Sequence, residues 1–195
     1  MSFRLREFSF ERAIGAVKKV RQRLMRATAV LEAARLPYAV ADENAVALWV
    51  SRVDEAAVRN TQDVDILIRR ADLAAARAAL EKAGFIYRHM AGMDVFLDGP
   101  GTKARNAVHI VFAGEKVRPA EPVANPDVND SEQAEHFRIL SLQALVQIKL
   151  TAFRDKDRVH LRDLIEVGLV DESWVKRFAP VLGDRLRKIL KTPEG

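Results

Sequence analysis

Arg59-Asn60-Thr61-Gln62-Asp63-Val64-Asp65-Ile66-Leu67-Ile68 ends in an apolar, largely β-branched run and sets two carboxylates two residues apart. Successive side chains on a strand face opposite ways, so Asp63 and Asp65 share one face while Val64, Ile66 and Ile68 share the other. Carboxylates about 6–7 Å apart along a strand repel each other unless a cation or a basic group comes between them. Hard divalent cations such as Mg²⁺ take oxygen ligands, keep several waters and are commonly shared between one or two carboxylates and substrate phosphates. Aspartates near strand ends also serve turns or face water, so the pair takes its meaning from its surroundings.

A chain of 195 residues with 49% hydrophobic and 30% charged residues has the length and composition of one soluble globular domain. No apolar run approaches the ~20 residues of a membrane span, and the first residues lack a signal-peptide core. The expectation is a cytoplasmic protein without membrane association. There is no cysteine, which excludes disulfides, thiolate metal sites and cysteine nucleophiles, so any metal must be held by oxygen or imidazole. A net charge of +5 permits attraction to nucleotides or nucleic acid. Much of the excess lies in Arg4 to Arg26 and Lys176 to Lys191, on what read as exposed helix faces.

Upstream of the acidic pair, Phe10 to Ala34 has helical apolar spacing among many basic residues, Pro37 ends that helix, and Tyr38 to Ala41 reads as a short buried strand. A second helix is predicted over Asn44 to Val50, with Asp42, Glu43 or Asn44 as its cap or first-turn charge. Downstream, a helix runs from Asp72 to Lys82 and stops at Gly84. Strands follow at Phe85 to Met90, Asp94 to Leu97 and Val108 to Phe112, the first two joined as a hairpin at Ala91-Gly92. Residues 114–136, rich in Pro, Asp, Asn and Glu, read as a long surface loop. Helices then cover Leu142 to Phe153, capped by Ser141, and Asp155 to Val167. Asp171 opens a short helix, and Pro180 opens a last one ending near Leu190. The layout is a single α/β (α+β) domain: an N-terminal helix (1–36), a short mixed β-sheet with the D-x-D strand (37–113), the loop (114–136) and a helical C-terminal part (137–195).

Three segments occur in order: Asn44-Ala45-Val46-Ala47 after the first strand, Arg59-x-Thr61-x-Asp63-x-Asp65, and Lys149-Leu150-x-Ala152 followed by Arg154-Asp155-Lys156-Asp157 and His160-Leu161-x-Asp163-Leu164. Together they resemble the nucleotidyltransferase superfamily with the polymerase-beta-like fold, and within it the small bacterial nucleotidyltransferase-like proteins that include the abortive-infection type IV toxins. The resemblance spans about Pro37 to Val167. It implies a nucleotidyltransferase-like sheet flanked by helices, and transfer of a nucleotidyl group from a nucleoside triphosphate to a hydroxyl or phosphate acceptor, on RNA or protein among others. It implies Asp63 and Asp65 as catalytic ligands of Mg²⁺ or Mn²⁺, and Asn44, Arg59, Thr61 and Lys149 beside the nucleotide. From the residues alone, Arg59 reads equally as an exposed charge, Thr61 as a strand-end hydroxyl and Lys149 as a snorkelling lysine.

Two departures bear on activity. Where the family opens its first helix with two small residues, which let backbone N–H groups cradle a triphosphate, this chain has Asp42-Glu43, whose side chains crowd the approach and whose charges repel phosphate. Where many relatives place a third carboxylate, this chain has His109, a metal ligand when neutral but a softer one than Mg²⁺ prefers. A second reading follows: a catalytically degenerate nucleotidyltransferase-fold protein serving as a binding or regulatory module, toxin-antitoxin related or RNA-binding. Asp157, His160 and Asp163, three apart on one helix face, suit pairing with Arg154, Arg158 or Arg162 to lock helices together.

Overall fold

The computed structural model describes residues 10–59, 61, 63–103 and 106–192. Asn60 and Gln62 of the acidic run, and the basic residues before Phe10, lie outside the described residues. The elements run α1 (Phe10–Ala33), β1 (Tyr38–Ala41), α2 (Asp42–Ser51), a 3-10 turn (Glu55–Ala57), β2 (Val64–Ile68), α3 (Leu73–Lys82), β3 (Ile86–Met90), β4 (Met93–Leu97), β5 (Ala107–Phe112), β6 (Ser131–Gln133), β7 (Arg138–Leu140), α4 (Leu142–Ala152), α5 (Asp155–Glu166), a 3-10 segment (Glu172–Arg177) and α6 (Pro180–Lys191).

The seven strands form one mixed sheet in the order β3-β4-β5-β2-β1-β7-β6. The acidic strand β2 is its centre, antiparallel to β1 and parallel to β5. Alternation along β2 then divides the core in two. Val64, Ile66 and Ile68 face α1 and α3, packing with Leu24, Leu31 and Leu80. Leu67, with Ala39 and Ala41 of β1, faces the layer of α2, α4, α5 and α6, where Leu145, Leu150, Leu161 and Leu186 complete the second core. Asp65 lies on that second face by the same alternation. Among the described residues no helix is long and apolar enough to cross a membrane.

Ser141 caps α4 as its sequence predicts, accepting from Ala144 N, and Asp171 accepts from Ser173 N at the head of the 3-10 segment. The hairpin turn falls on Ala91 and Gly92, both with positive φ, as a two-residue turn between twisted strands requires. The loop over 114–136 differs from expectation. It holds β6, and β7 opens the part read as helical. Three-residue strands are too short to show alternation, and β7 is fixed by tertiary contact: Ile139 pairs in parallel with Val40, and Arg138 N donates to Tyr38 Oη at 3.3 Å. The rest of the loop is fastened down. Arg70 makes two 2.6 Å bonds to Glu115, Arg69 binds Asp127 at 2.7 and 3.1 Å, and Asn125 Nδ2 donates to Phe112 O at 3.0 Å.

At Gly183 of α6 a Cβ would meet Val175 O at 2.7 Å, a backbone atom that cannot swing aside. Gly183→Ala is therefore expected to lower the unfolding free energy by about 1–3 kcal/mol in urea titrations. Unchanged stability would mean that the 3-10 segment gives way without cost.

Candidate functional site

A cleft of about 310 Å³ opens at one end of the sheet, between the β3–β4 turn, residues 115–125 and the end of α4. Asp65 and His109 contribute to its floor, Asp42 borders it where β1 passes into α2, Arg70, Lys116, Arg118 and Arg154 supply positive charge, and Asp94, Glu115 and Glu121 supply negative charge. Because β2 and β5 run parallel with Asp65 opposite His109, the two side chains project together, and Asp65 Oδ1 lies 3.6 Å from His109 Nδ1. The resemblance's third acidic position is thus spatially next to the pair, with imidazole in place of carboxylate.

Asp63 precedes β2 by one residue and does not line the cleft. Its carbonyl accepts from Asn44 Nδ2 at 2.6 Å, so Asn44 fixes the start of the acidic strand from α2. Its carboxylate Oδ1 is buried and has no hydrogen-bond partner among the described residues. Burial raises the Asp63 carboxyl above its ordinary value; Asp65 and Glu43 push the same way, and His109 opposes them. Lys156 acts in the same sense as His109, and Arg23 is also within electrostatic reach, so Asp63 lies among charges of both signs with one carboxylate oxygen short of a hydrogen-bond partner.

Asp63 and Asp65 offer carboxylate oxygens, which suit a hard divalent cation, and His109 offers a softer imidazole. They do not form a closed cage: among the described residues the three acidic or imidazole groups whose ligand atoms come within 4.8 Å of one another are Asp42, Asp157 and His160. An internal cation already sits there. Lys149 Nζ, fully buried on α4, donates to Asp42 Oδ1, lies 3.4 Å from Asp157 Oδ1 and 2.9 Å from His160 Nδ1. Burial pushes the Lys149 ammonium down to about 7, against the pull of Asp157. Burial alone would raise Asp157; its bonds to Arg154 and the charge of Lys149 outweigh this and hold it below the usual carboxylate range. Asp157 Oδ2 also accepts from Arg154 N at 3.0 Å and Arg154 Nε at 2.7 Å, closing the first turn of α5.

Lys149 is thus neither solvated nor snorkelling, and its head is committed to three partners. The reading of Asp42 and Glu43 as bare charges is corrected too. Lys156 Nζ lies 3.2 Å from Asp42 Oδ2 and 3.3 Å from Glu43 Oε1, and Thr61 Oγ1 donates to Glu43 Oε2 at 2.6 Å. Arg59 Nε binds Asp163 Oδ2 at 2.8 Å. Arg59 and Thr61 border a second, small cavity of about 20 Å³ with Glu43, His160 and Asp163, away from the larger cleft. The structure brings Asp65 and His109 to the cleft, and Asn44 and Asp63 directly behind; Arg59, Thr61 and Lys149 bind the helical layer to the mouth of β2. The α5 ladder works as helix-locking contacts predict, with Asp157 on Arg154 and Lys149, and Asp163 on Arg59 instead of Arg162. The role of Asp42 as a lysine partner had no sequence signal, since 107 residues separate it from Lys149.

Burial, with the charge of Lys149 adding to it, pushes His160 down to about 4. Its folded value lies below its unfolded one, so the unfolded chain takes up a proton between pH ~6.5 and about 4 that the folded chain refuses, and stability falls as pH drops through that window. Comparing urea unfolding across it, His160→Gln is expected to flatten the slope and remove about 3 kcal/mol of acid sensitivity. Parallel curves for the two proteins would show that another group titrates there.

No family model and no curated protein matches the chain. Among solved structures, it is similar to an antigenic nucleotidyltransferase-like protein from Paracoccidioides brasiliensis (TM-score 0.55, 12% identity, covering 90% of this chain and 88% of that one). It is also similar to a candidate nucleotidyltransferase from H. pylori (TM-score 0.51, 16% identity, covering 96% and 80%). At such identities the likeness is one of fold, and the chain has the nucleotidyltransferase fold.

Proposed function

We propose that the protein is a metal-dependent nucleotidyltransferase that binds a nucleoside triphosphate in the large cleft and passes its nucleotidyl group to a hydroxyl or phosphate acceptor. The observation that carries this reading is the acidic end of β2. Asp65 opens into the cleft 3.6 Å from His109, with the unpartnered Asp63 Oδ1 buried behind it. Asp63, Asp65 and His109 would hold Mg²⁺ or Mn²⁺, which when bound neutralises phosphate charge and aligns attacking and leaving oxygens. Imidazole tilts that choice toward Mn²⁺. Lys116 and Arg118 meet the polyphosphate in the cleft, where Arg70 is paired with Glu115 and Arg154 with Asp157, and Asn44 keeps Asp63 in place through its carbonyl. In the transfer the acceptor oxygen bonds to the α-phosphorus as the bond to the bridging oxygen breaks and pyrophosphate leaves. RNA or protein as acceptor and a cytoplasmic location belong to the same proposal, while a toxin-antitoxin setting belongs to the second reading.

Titrating ATP, GTP, CTP and UTP with Mg²⁺ or Mn²⁺ into the purified protein tests it by thermal stabilisation. A ligand at ~100 times its dissociation constant contributes ~2.7 kcal/mol, and Mn²⁺ is expected to support tighter binding than Mg²⁺. Absence of metal-dependent stabilisation with all four nucleotides would end the transferase reading. The second reading, a binding module without catalysis, is favoured by one observation: the first turn of α2, where a triphosphate would settle, already holds the two carboxylates of Asp42 and Glu43.

A further inference from the structure

Asp42 begins α2 with φ 49, a left-handed conformation that aspartate tolerates better than most residues and that glycine adopts without steric cost. A first-turn acid ordinarily points to water, whereas this one is 14% exposed and gripped on both oxygens, Oδ1 by Lys149 and Oδ2 by Lys156 at 3.2 Å. It stands between the cleft it borders and the fully buried Lys149. Because Ala41 pairs with Asp65 across β1 and β2, Asp42 also follows directly at the acidic end of the sheet. Ala41 makes no side-chain cap bond to α2. Two lysine heads at the uncapped first turn of a helix form an anion seat; Asp157 also holds Lys149 and Glu43 also holds Lys156, and the anion that lies between the two lysines belongs to the chain itself.

We infer that Asp42 is a tethered stand-in for phosphate, occupying the Lys149–Lys156 seat in the ligand-free protein, so that a polyphosphate must displace it before binding beside Asp65. This rests on the transferase reading for the identity of the incoming group; the seat and its occupant do not. A tethered group competes at an effective concentration of ~1 mM or more, so self-occupancy weakens polyphosphate binding without abolishing it. Displacement favours a ligand with several negative charges over a single carboxylate, which selects polyphosphates over monovalent anions. Asp42 then sets a threshold on nucleotide binding instead of marking a dead site.

The test uses the full chain and inorganic pyrophosphate in EDTA, by calorimetric titration, on wild type, Asp42→Gly and Asp42→Asn. Both variants keep a residue suited to the left-handed position, so each covers for the other should one fail to fold. Expected is pyrophosphate binding at least ~10-fold tighter in the variants, with most of the gain lost in Asp42→Gly, Lys156→Ala. Folded variants that bind pyrophosphate no better than wild type would overturn the inference. Metal-dependent nucleotide titrations on the same proteins separate the two proposals. A pyrophosphate gain without nucleotide binding in any variant upholds the seat and removes the transferase, whereas nucleotide binding in wild type that Asp42→Gly leaves unchanged upholds the transferase and removes the seat.

Discussion

Lys149→Met is expected to lower the unfolding free energy by about 3–5 kcal/mol, the largest loss of any single substitution considered, because it removes one partner of a buried charge cluster and leaves the rest uncompensated. Lys149 Nζ holds Asp42, Asp157 and His160 together, and with them α2, α4 and α5. Methionine matches the length of the stem, so little of the loss can come from packing. Asp157 keeps its bonds to Arg154, while Asp42 keeps only the exposed Lys156. The double variant Lys149→Met, Asp157→Asn is therefore expected to recover part of the loss, since removing both charges of a buried pair costs less than removing one. Urea or guanidinium titrations decide the matter. A single variant within about 1 kcal/mol of wild type would show that the cluster is neutral in the folded state and that Lys149 contributes no charge to it.

Asp63→Asn, Asp65→Asn is expected to move stability and binding in opposite directions. Asp63 is half-buried with its Oδ1 shielded from water, near Asp65 and Glu43, and its carboxyl is raised. A carboxyl with a raised folded value supports the fold below its unfolded value, and this support is lost as pH rises through the folded one. At neutral pH the ligand-free variant should therefore melt no lower than wild type. Metal-dependent stabilisation by nucleoside triphosphate, ~2.7 kcal/mol at a hundredfold excess over the dissociation constant, should vanish. Transfer activity should fall by ~10³-fold or more, the scale of removing a principal electrostatic contributor. Equal nucleotide stabilisation of both proteins would place the nucleotide elsewhere. A variant that melts well below wild type would mean the two carboxylates are structural.

Much of this was legible in the residues because local signals and tertiary needs coincided. The apolar run Val64–Ile68, Tyr38–Ala41, the hairpin at Ala91-Gly92, the Ser141 cap and Pro180 at the head of α6 each follow from patterns within a few residues, and the structure places them as read, whereas Asp63 falls just before β2 and outside the cleft that Asp65 lines. What escaped was nonlocal. β6 and β7 carry too few residues for alternation to register, and β7 exists because Ile139 finds Val40 on a strand made a hundred residues earlier. Lys149 reads as a snorkelling lysine although its helix neighbours Leu145, Val146, Ala152 and Phe153 are all apolar; only the approach of Asp42 from one side and Asp157 and His160 from the other makes its burial tolerable. Arg59 and Thr61 sit beside the carboxylates in sequence, and the turn through Glu55–Ala57 carries them to α5 and α2 instead.

The pairing of β1 with β7 bears on how the chain is made. Tyr38–Ala41 is buried along its whole length and, with β2 on one side, awaits on the other a partner that emerges from the ribosome only after about 100 more residues. Until then a nascent chain presents an apolar strand edge, the kind of surface that templates unwanted association. The fold accordingly closes late, and shortened products ending before Arg138 would be the ones to aggregate or to occupy chaperones.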